Sequence, residues 1–376
     1  MEGFEKPRVK SLLDHFSAVE DMREPWRVAH PLAEILLLVV CATMASCDDF
    51  DDIAEWGKAH LAFLRTQLPY YHGIPCARWL NIMMNRIDPG VFSDCFMGWA
   101  VTLRPDLPTQ IALDGKTLRR SHDRGAGKAA LHLVSAFATH EKLVLGQEAT
   151  EEKSNEIMAI PALLARLAHR GALAGTLVSV DAIGCNPRVT GAIIDHGADY
   201  LIALKANQGD LLEDVQTYFD DPPEPLETHI DHDKGHGRIE ERTARVSTNV
   251  AWLARDKFPH IALIACIESK VAKGTQITRE RRFYISSRHM TPEQTLAAVR
   301  AHWHIENALH WVLDVTFKDD LSRVRKGHGA KNMAVVRHFA INLVRNANDK
   351  RSLKVRRKLA GWSTDYLKSL LVNPDS

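Results

Sequence analysis

Two aspartates stand where short apolar runs stop. Ile111, Ala112 and Leu113 lead into Asp114, and the apolar stretch 177–180 leads into Asp181. A carboxylate at the end of a buried strand is costly unless a cation or a hydrogen-bond donor meets it. Two such acids on neighbouring strands repel each other, and a shared divalent cation is the simplest relief. Taken singly, each aspartate reads equally well as the cap of the turn that follows it. A third acid, Glu306, lies in a stretch that is helical by composition, His302-Trp303-His304-Ile305-Glu306-Asn307-Ala308-Leu309-His310-Trp311. Offsets of three and four put Glu306 on one face with His302, Trp303 and His310. A glutamate flanked by large rings on a half-buried face is not an ordinary solvated one. The histidines read more simply as a polar seam between helix and sheet.

Other chemistry-bearing patterns fail on spacing. Gly115-Lys116-Thr117 ends like a phosphate-binding loop, but Gln110 stands where its first glycine belongs. Gly125-Ala126-Gly127-Lys128 fails likewise, with His122 at that place. There is no H-E-x-x-H, and the 19 histidines show no paired ligand spacing. In His236-Gly237-Arg238-Ile239-Glu240-Glu241-Arg242, strand alternation puts Arg238, Glu240 and Arg242 on one face. That face is either a solvated set of cross-strand pairs or a clamp for phosphates.

The elements that must position these residues change character along the chain. The first hundred residues read as helices, one over 30–47, one after the acidic turn 48–52 and one over 78–87, stopped by Asp88-Pro89-Gly90. Pro105 and Pro108 mark a boundary. Strands follow at 111–113, 131–137 and 143–148, then a helix at 155–168 with Ser154 as its cap. A strand at 177–180, a helix at 189–195 and a strand at 200–204 complete a mixed sheet with helices packed on it. From 221 to about 287 the pattern is β-rich, and from 291 to about 346 it is helical.

At 376 residues the chain spans two or three domains and buries a core without staples. With 45% hydrophobic and 25% charged residues it is neither a disulfide-knit mini-protein, a collagen nor a disordered tail. No two of the six cysteines sit at C-x-x-C spacing, so the expected home is a reducing cytoplasm without a structural zinc. The start carries no apolar signal region, and the apolar stretch 35–47 is too short to span a bilayer. The net charge of +1 hides an asymmetry. Residues 1–109 hold 10 Lys and Arg against 15 Asp and Glu, and residues 321–376 hold 13 against 3. A basic end on an acidic body suits a polyanion partner, though it also serves solubility.

Together these segments resemble the ISAs-type, or H-repeat-associated, insertion-sequence transposases of the DDE superfamily. The matching pieces are Leu113-Asp114-Gly115-Lys116, Val180-Asp181-Ala182-Ile183-Gly184, the run 198–208 through Lys205, and His236-Gly237-Arg238-Ile239-Glu240. The longest runs from Trp303-His304-Ile305-Glu306-Asn307 to Val315, and His30-Pro31-Leu32 with Gly73-Ile74-Pro75 looks like the family's associated helical domain.

The resemblance implies an α/β, RNase H-like mixed-sheet catalytic core over 106–350 with a β-rich insertion over about 221–287. It also implies an N-terminal helical domain over 1–105, and charge adds a basic tail over 351–376. The catalytic, metal-holding triad it implies is Asp114, Asp181 and Glu306, binding two Mg²⁺ or Mn²⁺ ions about 3.5–4 Å apart. Water and then a DNA 3′-hydroxyl would attack the phosphodiester, giving cleavage and strand transfer. The expected partners are double-stranded DNA, as terminal inverted repeats and target, and a second copy on that DNA. No membrane is expected, and the bacterial cytoplasm and nucleoid are the expected location. Lys116, Arg119, Arg120, Lys205, His236, Arg238, Arg242, Arg323, Arg325 and Lys326 are the expected DNA contacts, with the basic tail through Lys358. One departure stands out. His302 occupies the Arg position and Leu313 the Lys position of the Tyr-Arg-Glu-Lys signature found in related members. A nuclease without strand transfer, and a DNA-binding copy without catalysis, remain as rivals.

Overall fold

The computed structural model describes residues 8–372 apart from 105, 123–124, 126, 128, 151–155, 236–237, 254–257 and 259. The helical part runs α1 (Arg8–Ser17), α2 (Leu32–Met44), α3 (Phe50–Ala59), α4 (Leu61–Leu64), α5 (Ala77–Arg86) and α6 (Pro89–Thr102). Twelve of the thirteen residues of α2 are buried, as expected of a helix that is apolar all round. The Asp88-Pro89-Gly90 run, expected only to stop a helix, also starts one. Asp88 accepts from the Val91 amide at 2.8 Å, and Pro89 opens α6 where its missing N–H is not needed.

The α/β part follows as β1 (Gln110–Thr117), β2 (His132–Ala138), β3 (Leu143–Thr150), α7 (Glu156–His169), β4 (Leu177–Val180), α8 (Pro187–Asp195), β5 (Asp199–Leu204) and α9 (Gly209–Asp220). The insertion supplies β6 (Glu227–Gly235), β7 (Arg238–Ser247), β8 (Leu263–Lys273) and β9 (Gln276–Ser286). Among the described residues nine strands form one sheet in the order β3-β2-β1-β4-β5-β9-β8-β7-β6. β1 runs antiparallel to β2 and parallel to β4, and β4 parallel to β5, which is the mixed RNase H-like sheet. The insertion docks its last strand, β9, antiparallel on β5, so it continues the sheet. The expected cap Ser154 and the expected DNA contact His236 lie outside the described residues.

The chain ends in α10 (Pro292–His302), a π-helical turn (Ile305–His310), α11 (Trp311–Val315), α12 (Gly329–Arg345), α13 (Leu353–Trp362) and α14 (Thr364–Leu371). α12 ties the two parts together. Phe339 packs its ring within 4.9–5.8 Å of Phe16, Phe92, Phe96 and Trp99. Asn342, fully buried, donates to the Val144 carbonyl at 2.9 Å and accepts from its amide at 3.0 Å. Among the described residues no helix is long and apolar enough to cross a membrane.

Two cations of the expected basic tail are turned inward, while Arg351, Lys354 and Lys358 are exposed. Arg356 and Arg357 are buried rather than offered to phosphates. Arg357 donates to the Thr43 carbonyl at the end of α2, pairs with Asp48 at 3.2 Å and lies 4.0 Å over Phe317. Arg356 donates to the carbonyls of Val344 and Arg345 at the end of α12. The last carbonyls of a helix lack intrahelical partners, and guanidinium groups satisfy them. Arg357→Ala should therefore destabilise the chain by about 2 kcal/mol in urea melts. The salt dependence of DNA binding should not change.

Candidate active site

The register of β1 and β4 places the two aspartates. Leu113 sits opposite Val180 on parallel strands, so Asp114, still within β1, and Asp181, the residue just past β4, come next to each other on adjacent strands. The expected end of the first strand at Asp114 is corrected, since β1 runs on to Thr117 paired with β2. Adjacent strands lie about 4.8 Å apart. Glu306 comes from the π-helical turn after α10, held by the buried Ile305 and Leu309. π turns recur at functional sites because they re-aim a side chain without ending the helix. Asp114, Asp181 and Glu306 line one cavity of about 610 Å³ with Lys205, Arg281 and Arg282, against an apolar wall that includes Leu201, Leu204 and Phe283.

The two aspartates differ electrostatically. Burial works to raise the Asp114 carboxyl, but His310, His302 and the Gly115 amide outweigh it and hold it below the ordinary value. His310 Nδ1 stands 3.3 Å from Asp114 Oδ2, and the Gly115 amide donates to Oδ1 at 2.9 Å. Asp181 is pushed the other way, by burial first and then by the charges of Asp114 and Glu156. Its Oδ1 accepts from the Ile183 amide at 3.0 Å, so it also caps the turn behind it. The turn-capping reading of Asp181 holds.

Oxygen donors, adjacent carboxylates and an acid that resists ionisation suit a hard divalent cation. Among the described residues no three His, Cys, Asp or Glu side chains stand together closely enough to hold a metal ion. The two aspartates and Glu306 share the wall of one cavity.

His302 is part of the seam. Its Nδ1 lies 3.0 Å from Ser179 Oγ, which accepts from Gln110, and Gln110 also donates to the Ala298 carbonyl. Burial pushes its pKa down, so at the Arg position this chain carries an imidazole biased towards neutral. Trp303 is partly exposed with the Arg282 guanidinium 4.8 Å over its ring.

The expected DNA contacts separate into two groups. Lys116 points inward and meets Asp314 at 2.6 Å, Asp319 at 3.1 Å and Asp320 at 3.7 Å, with its side chain 10% exposed. Arg242 is taken up by Glu240 at 2.7 Å, with Asp231 and Asp233 beyond. Both lose the role of free cation for the same reason: carboxylates reach them first. Arg119, Arg120, Lys205, Arg238, Arg323 and Lys326 are exposed. Arg325 donates to the Arg120 carbonyl at 3.1 Å. With Arg323, Lys326, Arg78 and Lys318 it lines a second cleft of about 930 Å³ that also carries Asp48, Asp49 and Asp51.

The family described as Transposase DDE domain matches residues 105–343, and the one described as DDE_Tnp_1-associated matches residues 13–100. The H repeat-associated protein YhhI of Escherichia coli K12 is 35% identical over 96% of this chain and 98% of its own length. YncI of Escherichia coli O157:H7 is 36% identical over 97% of this chain and 95% of its own, and both names carry the word transposase. Among solved structures, a piggyBac transposase synaptic complex with hairpin DNA aligns with a TM-score of 0.44 at 8% identity, over 99% of this chain and 81% of that one.

Proposed function

The chain belongs to the transposase DDE-domain family, and we propose that Asp114, Asp181 and Glu306 are the carboxylates with which it cuts insertion-sequence ends and joins them to target DNA. It is a DNA transposase, and the family uses divalent metal ions. The observation that carries the assignment is the side-by-side placement of Asp114 and Asp181 along adjacent parallel strands at the cavity that Glu306 also lines. These three residues would hold two Mg²⁺ or Mn²⁺ ions, which supply an acidified nucleophile and charge neutralisation at the leaving 3′-oxygen.

The remaining roles fall to the chain itself. His310 and the Gly115 amide keep Asp114 ionised and oriented for the metal. Lys205 at the cavity wall meets the phosphates flanking the scissile bond, while Arg281 and Arg282 beside it are paired with Asp220 at 2.7 Å and Glu280 at 2.8 Å. Arg119, Arg120, Arg238, Arg323 and Lys326 grip the backbone further out, without reading bases. End recognition falls to the helical residues 1–105 and catalysis to 106–350. Two copies act on paired inverted repeats.

The test is incubation of the protein with a plasmid carrying inverted repeats from its flanking genomic DNA, with Mg²⁺ and with chelator. Metal-dependent cuts at the repeat ends, followed by joined products from the freed 3′-hydroxyls, are expected. Cuts without joined products would leave a nuclease, and binding without cuts would leave a DNA-binding copy.

A further inference from the structure

A chain of buried hydrogen bonds crosses the sheet beside the carboxylates and ends at the cavity. Gln110, the first residue of β1, and Ser179 on β4 are 7% and 1% exposed. Ser179 sits opposite Ala112, and strand alternation puts Gln110, Ala112 and Asp114 on that same face. α10 packs over β1 and β4, and its last residue, His302, meets Ser179. The bonds fix where the protons lie. Gln110 Nε2 is 2.9 Å from the Ala298 carbonyl, which can only accept, so that atom is the amide nitrogen. The same nitrogen therefore donates to Ser179 Oγ, also at 2.9 Å. Among the described residues the Ser179 hydroxyl proton has one acceptor in reach, His302 Nδ1 at 3.0 Å, and a buried hydroxyl left without one is costly. Nδ1 thus accepts, and the proton of the neutral ring sits on Nε2. That nitrogen makes no hydrogen bond among the described residues and is not a buried orphan, and His302 lines the cavity with Asp114, Asp181 and Glu306. A seam that only joined helix to sheet would end on a satisfied ring. This one ends on an unspent donor.

We propose that His302 is a catalytic residue that donates its Nε2–H to a non-bridging oxygen of the scissile phosphate, with Gln110 and Ser179 as the positioning residues that fix its tautomer. This rests on the reading of the cavity as the place where DNA is cut. A donor held in place before the reaction stabilises the charge that grows on the phosphoryl oxygens in the transition state. Its neutrality matters as much as its place. A lysine or arginine there would pair with the carboxylates, as Lys116 does with Asp314 and Arg242 with Glu240. An uncharged imidazole leaves the carboxylates free for a metal ion and still offers one N–H to the substrate.

The test is the rate at which the full-length chain cuts a plasmid carrying the repeat ends, at saturating DNA with Mg²⁺, with filter binding for affinity and thermal melts for folding. His302→Leu should cut about 10²–10³-fold more slowly, the scale for losing one preorganised donor. Its salt slope of DNA binding should match the wild type, because a neutral donor releases no counterion. His302→Gln, whose amide places an N–H near the Nε2 position, should recover at least about tenfold of the loss. His302→Asn, which reaches only the Nδ1 position, should not. The tautomer is read separately by ¹⁵N NMR of histidine-labelled protein, using the signals that His302→Leu removes. Nε2 should carry the proton in the wild type, and Ser179→Ala should shift those signals towards a mixture of tautomers. If the wild type cuts and His302→Leu cuts equally fast, the proposal for His302 is overturned alone. A wild type that cuts no repeat end removes the underlying reading, and the proposal falls with it. A proton found on Nδ1, or a salt slope lowered by about 0.9 in His302→Leu, also overturns it. Should His302→Leu not fold, the glutamine and asparagine variants carry the test, and equal rates for the two overturn the proposal.

Discussion

Asp181→Asn cuts plasmid DNA about 10³-fold more slowly than the wild type, or not at all, and yields no joined product. The amide keeps the turn-capping bond from Ile183 and loses the charge that holds the metal. DNA affinity stays, because it resides in cations elsewhere. A second effect separates this prediction from misfolding. Asp181 has a higher pKa folded than unfolded, so the folded chain binds more protons above the ordinary value of 3.8. Stability contributed at low pH is lost as pH rises through that window. In EDTA at pH 7, Asp181→Asn should therefore melt higher than the wild type, and the difference should close below about pH 4. A variant that cuts normally, or one that is less stable at pH 7 without metal, contradicts this account of Asp181.

Lys116→Met should produce the largest loss of stability, about 3–5 kcal/mol in urea unfolding at pH 7. Asp319 is 4% exposed and compensated by Lys116 at 3.1 Å and Arg337 at 2.7 Å. Removing the lysine leaves Asp319 short of charge in a buried place and takes the partner at 2.6 Å from the half-buried Asp314. Burial lowers the Lys116 pKa, but Asp319 and Asp314 outweigh it and the net shift is upward. A raised lysine gives stability that is fully present below its ordinary 10.5 and lost as pH climbs through the folded value, so the cost is undiminished at pH 7. The salt slope of DNA binding should be that of wild type. A slope lower by about 0.9 with unchanged stability would instead make Lys116 a phosphate contact.

The contrast between Asp181 and Lys116 shows which features were legible in the sequence. An apolar run ending in an acid marks a strand end, because burial and charge conflict there whatever the surrounding fold. β4 and the acid after it were readable on that ground, whereas β1 runs three residues past Asp114 to Thr117. Charge counts carry no such constraint. The 13 cations of residues 321–376 looked like a DNA-binding tail, yet Arg356 and Arg357 satisfy helix-end carbonyls far away in sequence. Local signals could not name those partners, since Thr43 and Arg357 are 314 positions apart. Lys116 was misread for the same reason, with its three acids about 200 residues downstream. Gln110 and Ser179 gave no signal of a role, because each is unremarkable until β1 and β4 pair and α10 lies over them. The helix through Glu306 was legible by composition, but not its π turn over Ile305–His310.

The central claim is that Asp114 and Asp181 share a divalent cation at the cavity Glu306 lines. Anomalous scattering from Mn²⁺ in crystals of the chain bound to a repeat-end DNA duplex tests it most directly. The account predicts a manganese peak touching carboxylate oxygens of both aspartates, with Glu306 brought onto the metal site. Manganese bound elsewhere while both aspartates remain without it would contradict the account.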